Sequence, residues 1–174
     1  MQDEEIQFLE ESNLIEGVGM EGLDDSVLAW EYAKEQKSIG LFELSNIHKL
    51  LMQNLNPRIA GKFRDVAVTV GNRLCPQPGI ALQLVSDLLD FKFNEKQIKK
   101  SKKQKKDWVE MCRKDHIWFE TQHPFEDGNG RTGRILLNWQ RLQYGLPILI
   151  IKNSEKQEYY KWFAEPTINL WKNN

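Results

Sequence analysis

Cysteine is scarce in this chain. Cys75 and Cys112 stand far apart and form neither a CxxC pair nor a metal-ligand cluster. That excludes a disulfide scaffold and a zinc module, and fits two reduced thiols. Charge of one sign is lacking too: the net charge of -1 gives no global field toward nucleic acid or a membrane surface. The longest apolar run, Leu146 to Ile151, is far too short to span a bilayer. The acidic start, Met1 to Glu5, is followed by no apolar stretch, so no secretory leader is expected and the location expected is cytoplasmic. Strand signals, internal repeats and linker-like stretches are nearly absent. What remains is an ordinary globular composition, 40% hydrophobic and 28% charged, in 174 residues, enough for one domain with a sizeable core.

Helical periodicity dominates. Residues 3–16 predict a first helix, stopped by Gly17 and Gly19. A second is expected over 24–37, with Val27, Leu28, Ala29, Trp30 and Ala33 as its apolar surface. A third is expected over 43–55 with Leu44, Ile47, Leu51 and Leu55 at helical spacing, Ser45 or Asn46 as cap and Pro57 as stop. Val66, Val68 and Val70 alternate with Ala67 and Thr69 before Gly71-Asn72, which predicts one short strand entering a turn. Further helices are expected over 79–91, 107–122, 130–144 and 154–165, the last interrupted by Pro166. The 107–122 helix should bury Trp108, Met111, Cys112 and Trp118 or Phe119. Between two of these helices lie Lys96, Lys99, Lys100, Lys102, Lys103, Lys105 and Lys106. No aromatic interleaves with them, so the run reads as a solvated face, with nucleic-acid binding as the weaker alternative.

One stretch carries chemistry: His123-Pro124-Phe125-Glu126-Asp127-Gly128-Asn129-Gly130-Arg131-Thr132-Gly133-Arg134. A Gly-Asn-Gly turn at a helix start leaves backbone N–H groups unpaired in the positive end of the helix dipole, a natural seat for phosphate. Arg131 and Arg134 are three apart on the first turn and can chelate phosphate oxygens. A carboxylate beside phosphates, Asp127, suits Mg²⁺. His123 has the pKa range of a base that takes a proton from a hydroxyl. Phe125 is apolar in a polar loop and reads as its anchor in the core.

This stretch fills every position of the pattern HxFx[D/E]GNGRxxR, so the chain resembles the Fic family. Gly61-Lys62-Phe63-Arg64 and the following Val66 to Gly71 resemble the family's G-x-[YF]-R segment and β-hairpin flap. His116-Ile117-Trp118-Phe119 resembles its H-x-x-F stretch, and Tyr159-Tyr160 its late tyrosine pair. The resemblance implies an all-α Fic fold with one short hairpin, and transfer of AMP from ATP to a Ser, Thr or Tyr hydroxyl of a target protein. It implies His123 as base and Asp127 as Mg²⁺ ligand. Gly128, Asn129 and Gly130 form the anion hole, and Arg131 and Arg134 hold the outer phosphates. Val70, Gly71 and Tyr160 sit beside the nucleotide, and Val66, Ala67, Val68 and Thr69 dock the target by strand addition. Gly130 stands where family kinases tend to carry Lys, which favours AMP transfer. One departure is Thr167, where many members carry an Asn after the tyrosine pair; Asn169 is the nearby substitute.

Ser12-Asn13-Leu14-Ile15-Glu16-Gly17 resembles the family's inhibitory pattern [S/T]-x-x-x-E-[G/N]. Ser12 and Glu16 share a helix face, and Glu16 lies in the last turn, where the dipole disfavours an anion. The resemblance makes Arg134 its partner and the chain a self-inhibited enzyme, with residues 1–22 as inhibitory segment and 23–174 as Fic domain. It leaves open AMP removal, transfer of another phosphate-containing group, a silent antitoxin or scaffold role, and a homodimer.

Overall fold

The computed structural model describes residues 2–104 and 107–164. Helix α1 (Asp3–Ile15) is joined to α2 (Leu23–Glu35) by a buried carboxylate: Glu5 accepts from Trp30 Nε1 at 2.9 Å and Lys34 Nζ at 2.7 Å. Gly17, at φ +72°, ends the first helix where a side chain would be strained. In α2, Ala29, Trp30 and Ala33 face the core, whereas Leu28 is 51% exposed. Leu28 falls off the 26/29/30/33 stripe, so its expected core role is corrected.

Helix α3 (Leu41–Met52) begins earlier than expected, because Glu43 accepts from the Gly40 amide at 2.9 Å. The expected caps have other partners: Ser45 Oγ donates to the Gly61 carbonyl and Asn46 Nδ2 to the Tyr32 hydroxyl. The helix also stops before Pro57 in a run of turns that leaves Leu55 partly exposed. Thr69–Val70 (β1) and Arg73–Leu74 (β2) pair antiparallel, with Thr69 opposite Leu74 and Val70 opposite Arg73. Gly71 supplies the positive φ of the turn, and the Cys75 amide extends the pairing to the Val68 carbonyl. Val66 and Ala67 lie outside the ladder, a correction to the strand expected over 66–70. Val66 instead turns its carbonyl to Arg64 Nη1 at 2.8 Å.

Pro78 opens α4 (Pro78–Lys92), where its missing N–H costs nothing. In α5 (Glu95–Ser101) Ile98 is buried, and Lys96, Lys99 and Lys100 are exposed. Asp107 caps α6 (Trp108–Gln122), which buries Cys112, His116 and Phe119, while Trp118 is only half-buried. A short helix α8 (Lys156–Lys161) carries the tyrosine pair and ends sooner than expected. Lys105, Lys106, Pro166, Thr167 and Asn169 lie outside the described residues. No helix among the described residues is long and apolar enough to cross a membrane.

Helix α7 (Asn129–Gln143) is the centre of the bundle and packs against α1, α2, α3 and α6. From Arg131 to Arg141 each residue is buried, although several are polar. Each of these side chains makes at least one hydrogen bond, although Arg131, Arg134 and Gln140 keep unpartnered atoms. Asn138 bridges both backbone groups of Leu149, Gln140 donates to Asp115 at 2.8 Å, and Arg141 donates to the Pro147 carbonyl at 2.9 Å. Ile135, Leu136 and Trp139 join Phe8, Trp30, Leu44, Ile47 and Phe119 in the main apolar cluster. The motif thus opens a helix buried along most of its length.

Candidate active site

The motif loop is bound at both ends before α7 begins. Phe125 is fully buried, its backbone bridges to Phe63, and both of its backbone groups bond the Asn129 side chain at 3.0 Å. Asn129 therefore staples the loop to the first turn of α7. Arg64 performs the same office on the other side. Its guanidinium donates to the carbonyls of Gln122, His123, Val66 and Pro76, and its own amide to Pro124. One side chain thus joins the end of α6, the motif and the flap. His123, alone among the described non-glycine residues, has a left-handed φ of +50° there.

Gly128 caps α7 at φ +74°, and a Cβ there would meet Met52 Sδ at 2.8 Å and His48 Nε2 at 3.2 Å. Only glycine fits this corner. The amides of Asn129, Gly130 and Arg131 follow at the helix start, where no preceding turn supplies acceptors. Beside this cradle opens a cavity of about 770 Å³, lined by Gly130, His123, Arg134 and Glu16 together with the flap residues Val70, Gly71 and Arg73. Tyr159, Tyr160 and Phe163 form its aromatic side, and its size suits a nucleotide.

Arg134 is the buried cation of this cavity. Its Nε donates to Ser12 Oγ at 2.8 Å, and its Nη2 to the Ser12 carbonyl at 2.9 Å and to Glu16 Oε1 at 2.8 Å. Its Nη1 has no hydrogen-bond partner, and the guanidinium lies 5.7 Å over the Tyr159 ring. Tyr159 in turn donates to His116 Nε2 at 2.8 Å, while His116 Nδ1 donates to the Gly133 carbonyl at 3.0 Å. Burial pushes the His116 pKa down to about 3, so one neutral tautomer ties α6, α7 and α8 together. Glu16 leans over the cradle, and a Cβ on Gly130 would collide with its carboxylate.

His123 lines the cavity with a depressed pKa. Burial is the main cause, the charges of Arg64 and Arg73 act in the same direction, and a ring hydrogen bond to the Glu120 carbonyl opposes them. A neutral ring with one N–H so engaged leaves its other nitrogen as a proton acceptor. Asp127 is exposed beside the cradle, and its Oδ1 accepts from the Gly128 amide at 2.6 Å. No cluster of three or more metal-binding side chains occurs among the described residues. One carboxylate next to a phosphate cradle still fits Mg²⁺, which takes most of its ligands from phosphate and water.

Two expected site residues stand elsewhere than their spacing suggested. The Asn129 side chain is spent on Phe125. Arg131, although three residues from Arg134, turns to the α3 side, with Nη2 3.0 Å from Met52 Sδ and with Nε and Nη1 unpartnered. Long side chains diverge when their first contacts lie on opposite helices. Conversely, Glu120, Arg73 and Phe163 line the cavity without having been singled out. Glu120 lies in the last turn of α6, and the left-handed turn at His123 breaks the helical spacing that would have linked the two in sequence. Burial and the nearby Glu16 push its carboxyl up to about 8 against the pull of Arg134 and Arg73, and its Oε1 has no hydrogen-bond partner.

Residues 39–140 match the model of the Fic/DOC family. The chain belongs to that family. The protein adenylyltransferase fic-1 of Caenorhabditis elegans is 30% identical over 128 residues, 74% of this chain but 24% of that protein. The protein adenylyltransferase Fic of Aedes aegypti is 32% identical over 124 residues, 71% of this chain and 24% of that protein. This Fic chain therefore spans about a quarter of the length of these relatives. A solved structure of C. elegans Fic-1, residues 134–508, superposes with a TM-score of 0.72 at 22% identity, covering 95% of this chain and 57% of that one. A Fic-domain signaling protein of Bacteroides thetaiotaomicron gives 0.73 at 20% identity, covering 90% and 69%. These show that the all-helical bundle with its small hairpin is the Fic fold.

Proposed function

We propose that this Fic chain is a protein adenylyltransferase that moves AMP from ATP to a hydroxyl of a target protein and is held in check by Glu16. One observation carries the proposal. The buried Arg134, whose Nη1 has no hydrogen-bond partner, lines a nucleotide-sized cavity together with His123 and Gly130 of the glycine cradle. The name protein adenylyltransferase, carried by relatives near 30% identity, supports it.

In this reading the polyphosphate lies along the Gly128–Gly130 turn, on the amides of Asn129 and Gly130, with Arg134 on its outer end and Arg131 behind the cradle. Asp127 is the residue that would hold Mg²⁺, whose charge stabilises the phosphates when bound. Val70, Gly71, Tyr160 and Phe163 enclose the base. The target's backbone adds to the flap edge at Val66, Ala67, Val68 and Thr69. Its hydroxyl oxygen attacks the α-phosphorus as the bond to the β-phosphate bridging oxygen breaks. The hydroxyl proton passes to the free nitrogen of His123, and pyrophosphate leaves. Charge stabilisation by fixed donors carries most of such a barrier.

Glu16 opposes this electrostatically. Its carboxylate stands beside Gly130 and occupies Arg134 Nη2, so an incoming phosphate meets an anion and finds its cation engaged. Gly17 lets the chain turn away directly after it, and Ser12 holds the other edge of the same guanidinium. Residues 1–22 then act as a regulatory segment of the 23–174 catalytic unit. Because Glu16 lines the cavity, the same carboxylate could also direct water in AMP removal.

The test is label transfer from α-labelled ATP with Mg²⁺ to lysate proteins and to the chain itself. Strong labelling with Glu16→Gly, little with wild type and none with the Glu16→Gly, His123→Ala double variant is expected. No label with any variant refutes AMP transfer. Release of AMP from a labelled target by wild type would establish the removal reaction.

A further inference from the structure

His48 lies outside both the motif and the cavity lining, yet it is fully buried directly beneath the cradle. Its Nδ1 accepts the Gly61 amide at 3.0 Å, so its ring proton resides on Nε2, which donates to the Asp127 carbonyl at 2.9 Å. The ring lies flat on Phe125, with centroids 3.7 Å apart and planes 1° apart. Two left-handed glycines, Gly61 and Gly128, crowd around this helix. A Cβ on Gly61 would come to 3.0 Å from Lys49 Cβ, and one on Gly128 to 3.2 Å from the His48 ring itself.

The peptide unit between Asp127 and Gly128 is consequently held at both ends. Its carbonyl is bound by His48, and its N–H by the Asp127 carboxylate at 2.6 Å. Rotation of that unit would swing the carboxylate and break the Gly128 amide's bond to it. Gly128, without a Cβ, does little to resist such a rotation. The His48 bond is the restraint that comes from outside the loop.

Resting on the reading in which Asp127 holds Mg²⁺ beside the nucleotide, we infer that His48 is a positioning residue. It sets the Asp127–Gly128 peptide plane and thereby aims the Asp127 carboxylate at the metal. Partners one step removed from a metal ligand act in this manner, by fixing the ligand's orientation. His48 touches neither substrate nor metal. Its contribution is directional, through one N–H on one carbonyl.

Two substitutions separate this role from simple core packing. The side-chain nitrogen of His48→Gln reaches the position of Nε2 and keeps the donor to Asp127. His48→Asn reaches only the position of Nδ1, so it keeps the Gly61 bond and loses the Asp127 bond. Both are placed in the Glu16→Gly background, and ATP binding is measured by calorimetry with and without Mg²⁺. The expected result is that His48→Asn reduces the Mg²⁺-dependent gain in ATP affinity by about 10- to 100-fold. Its Mg²⁺-free binding stays near the parent's, and His48→Gln restores most of the gain. The inference is overturned if both variants keep the parental gain. It is equally overturned if both lose affinity with and without Mg²⁺ in step with their melting temperatures. Failure of the Glu16→Gly parent to bind ATP is a different result: it removes the nucleotide reading and this inference with it.

Discussion

Removing Glu16 should make this protein less stable alone and more responsive to ATP. Arg134 is 2% exposed and Glu16 34% exposed, and they meet at 2.8 Å. Deleting one partner of a fully buried ion pair costs about 3–5 kcal/mol. Glu16 is open to water on one side, which screens the pair, so about 1–2 kcal/mol is the appropriate magnitude. For a domain of this size that lowers the melting temperature by about 2–8 °C. Nucleotide then does the reverse: a polyphosphate that replaces the lost carboxylate adds about 2.7 kcal/mol at a hundredfold excess over its Kd. Thermal melts of wild type, Glu16→Gly and Glu16→Gln, each with and without Mg-ATP, measure both effects. Glu16→Gly should show the lower starting point and the larger ATP shift. Glu16→Gln, which keeps an acceptor oxygen, should fall between it and wild type. Equal ATP shifts in wild type and Glu16→Gly would refute the idea that Glu16 and phosphate compete for Arg134.

Arg64→Ala should leave the carbonyls of His123, Gln122, Val66 and Pro76 without their shared donor. Activity should then fall about 100-fold, the scale of a 1 Å misplacement of a catalytic group, with ATP affinity changed far less; kinetics and calorimetry on one preparation check the split. Stability should depend on pH through two sets of buried groups of opposite sign. His48 and His116 are held down to about 4 and about 3 by burial, from 6.5 when unfolded. The unfolded chain therefore binds the extra protons and gains as pH falls below 6.5. Glu120 has the opposite sign: raised from 4.5 to about 8, its contribution is complete below 4.5 and lost as pH rises through 8. Urea titrations across this range should show Glu120→Gln abolishing the loss that accrues between pH 4.5 and 8, with the histidine-driven loss at lower pH unchanged. Replacing Lys96, Lys100, Lys102 and Lys103 by Ala should change stability by less than about 0.5 kcal/mol each. Salt-sensitive DNA binding lost in that variant would instead revive a nucleic-acid role.

Much of this was legible without a structure. Helix positions follow from apolar spacing and from stops such as Gly17, which act within one turn of themselves. The stretch from His123 to Arg134 is contiguous, so its glycine cradle, its histidine and its helix start are local consequences of residue order. The spacing of Ser12 and Glu16 likewise sets a shared face within a single helix. Side-chain destinations are another matter, because they depend on which foreign element arrives first. Arg131 and Arg134 leave the same turn, yet α3 offers Met52 to one and α1 offers Ser12 and Glu16 to the other. Asn129 was available to a ligand until Phe125 was buried beside it. The flap proved shorter than its valines suggested, because Arg64 draws the Val66 carbonyl away from the ladder. Glu120, Arg73 and His48 became part of the site only through packing, since their partners lie on other elements. Backbone propensity and motif chemistry are short-range and written in order along the chain. Burial, tautomer choice and the pairing of Glu16 with Arg134 are long-range, and only the assembled helices decide them.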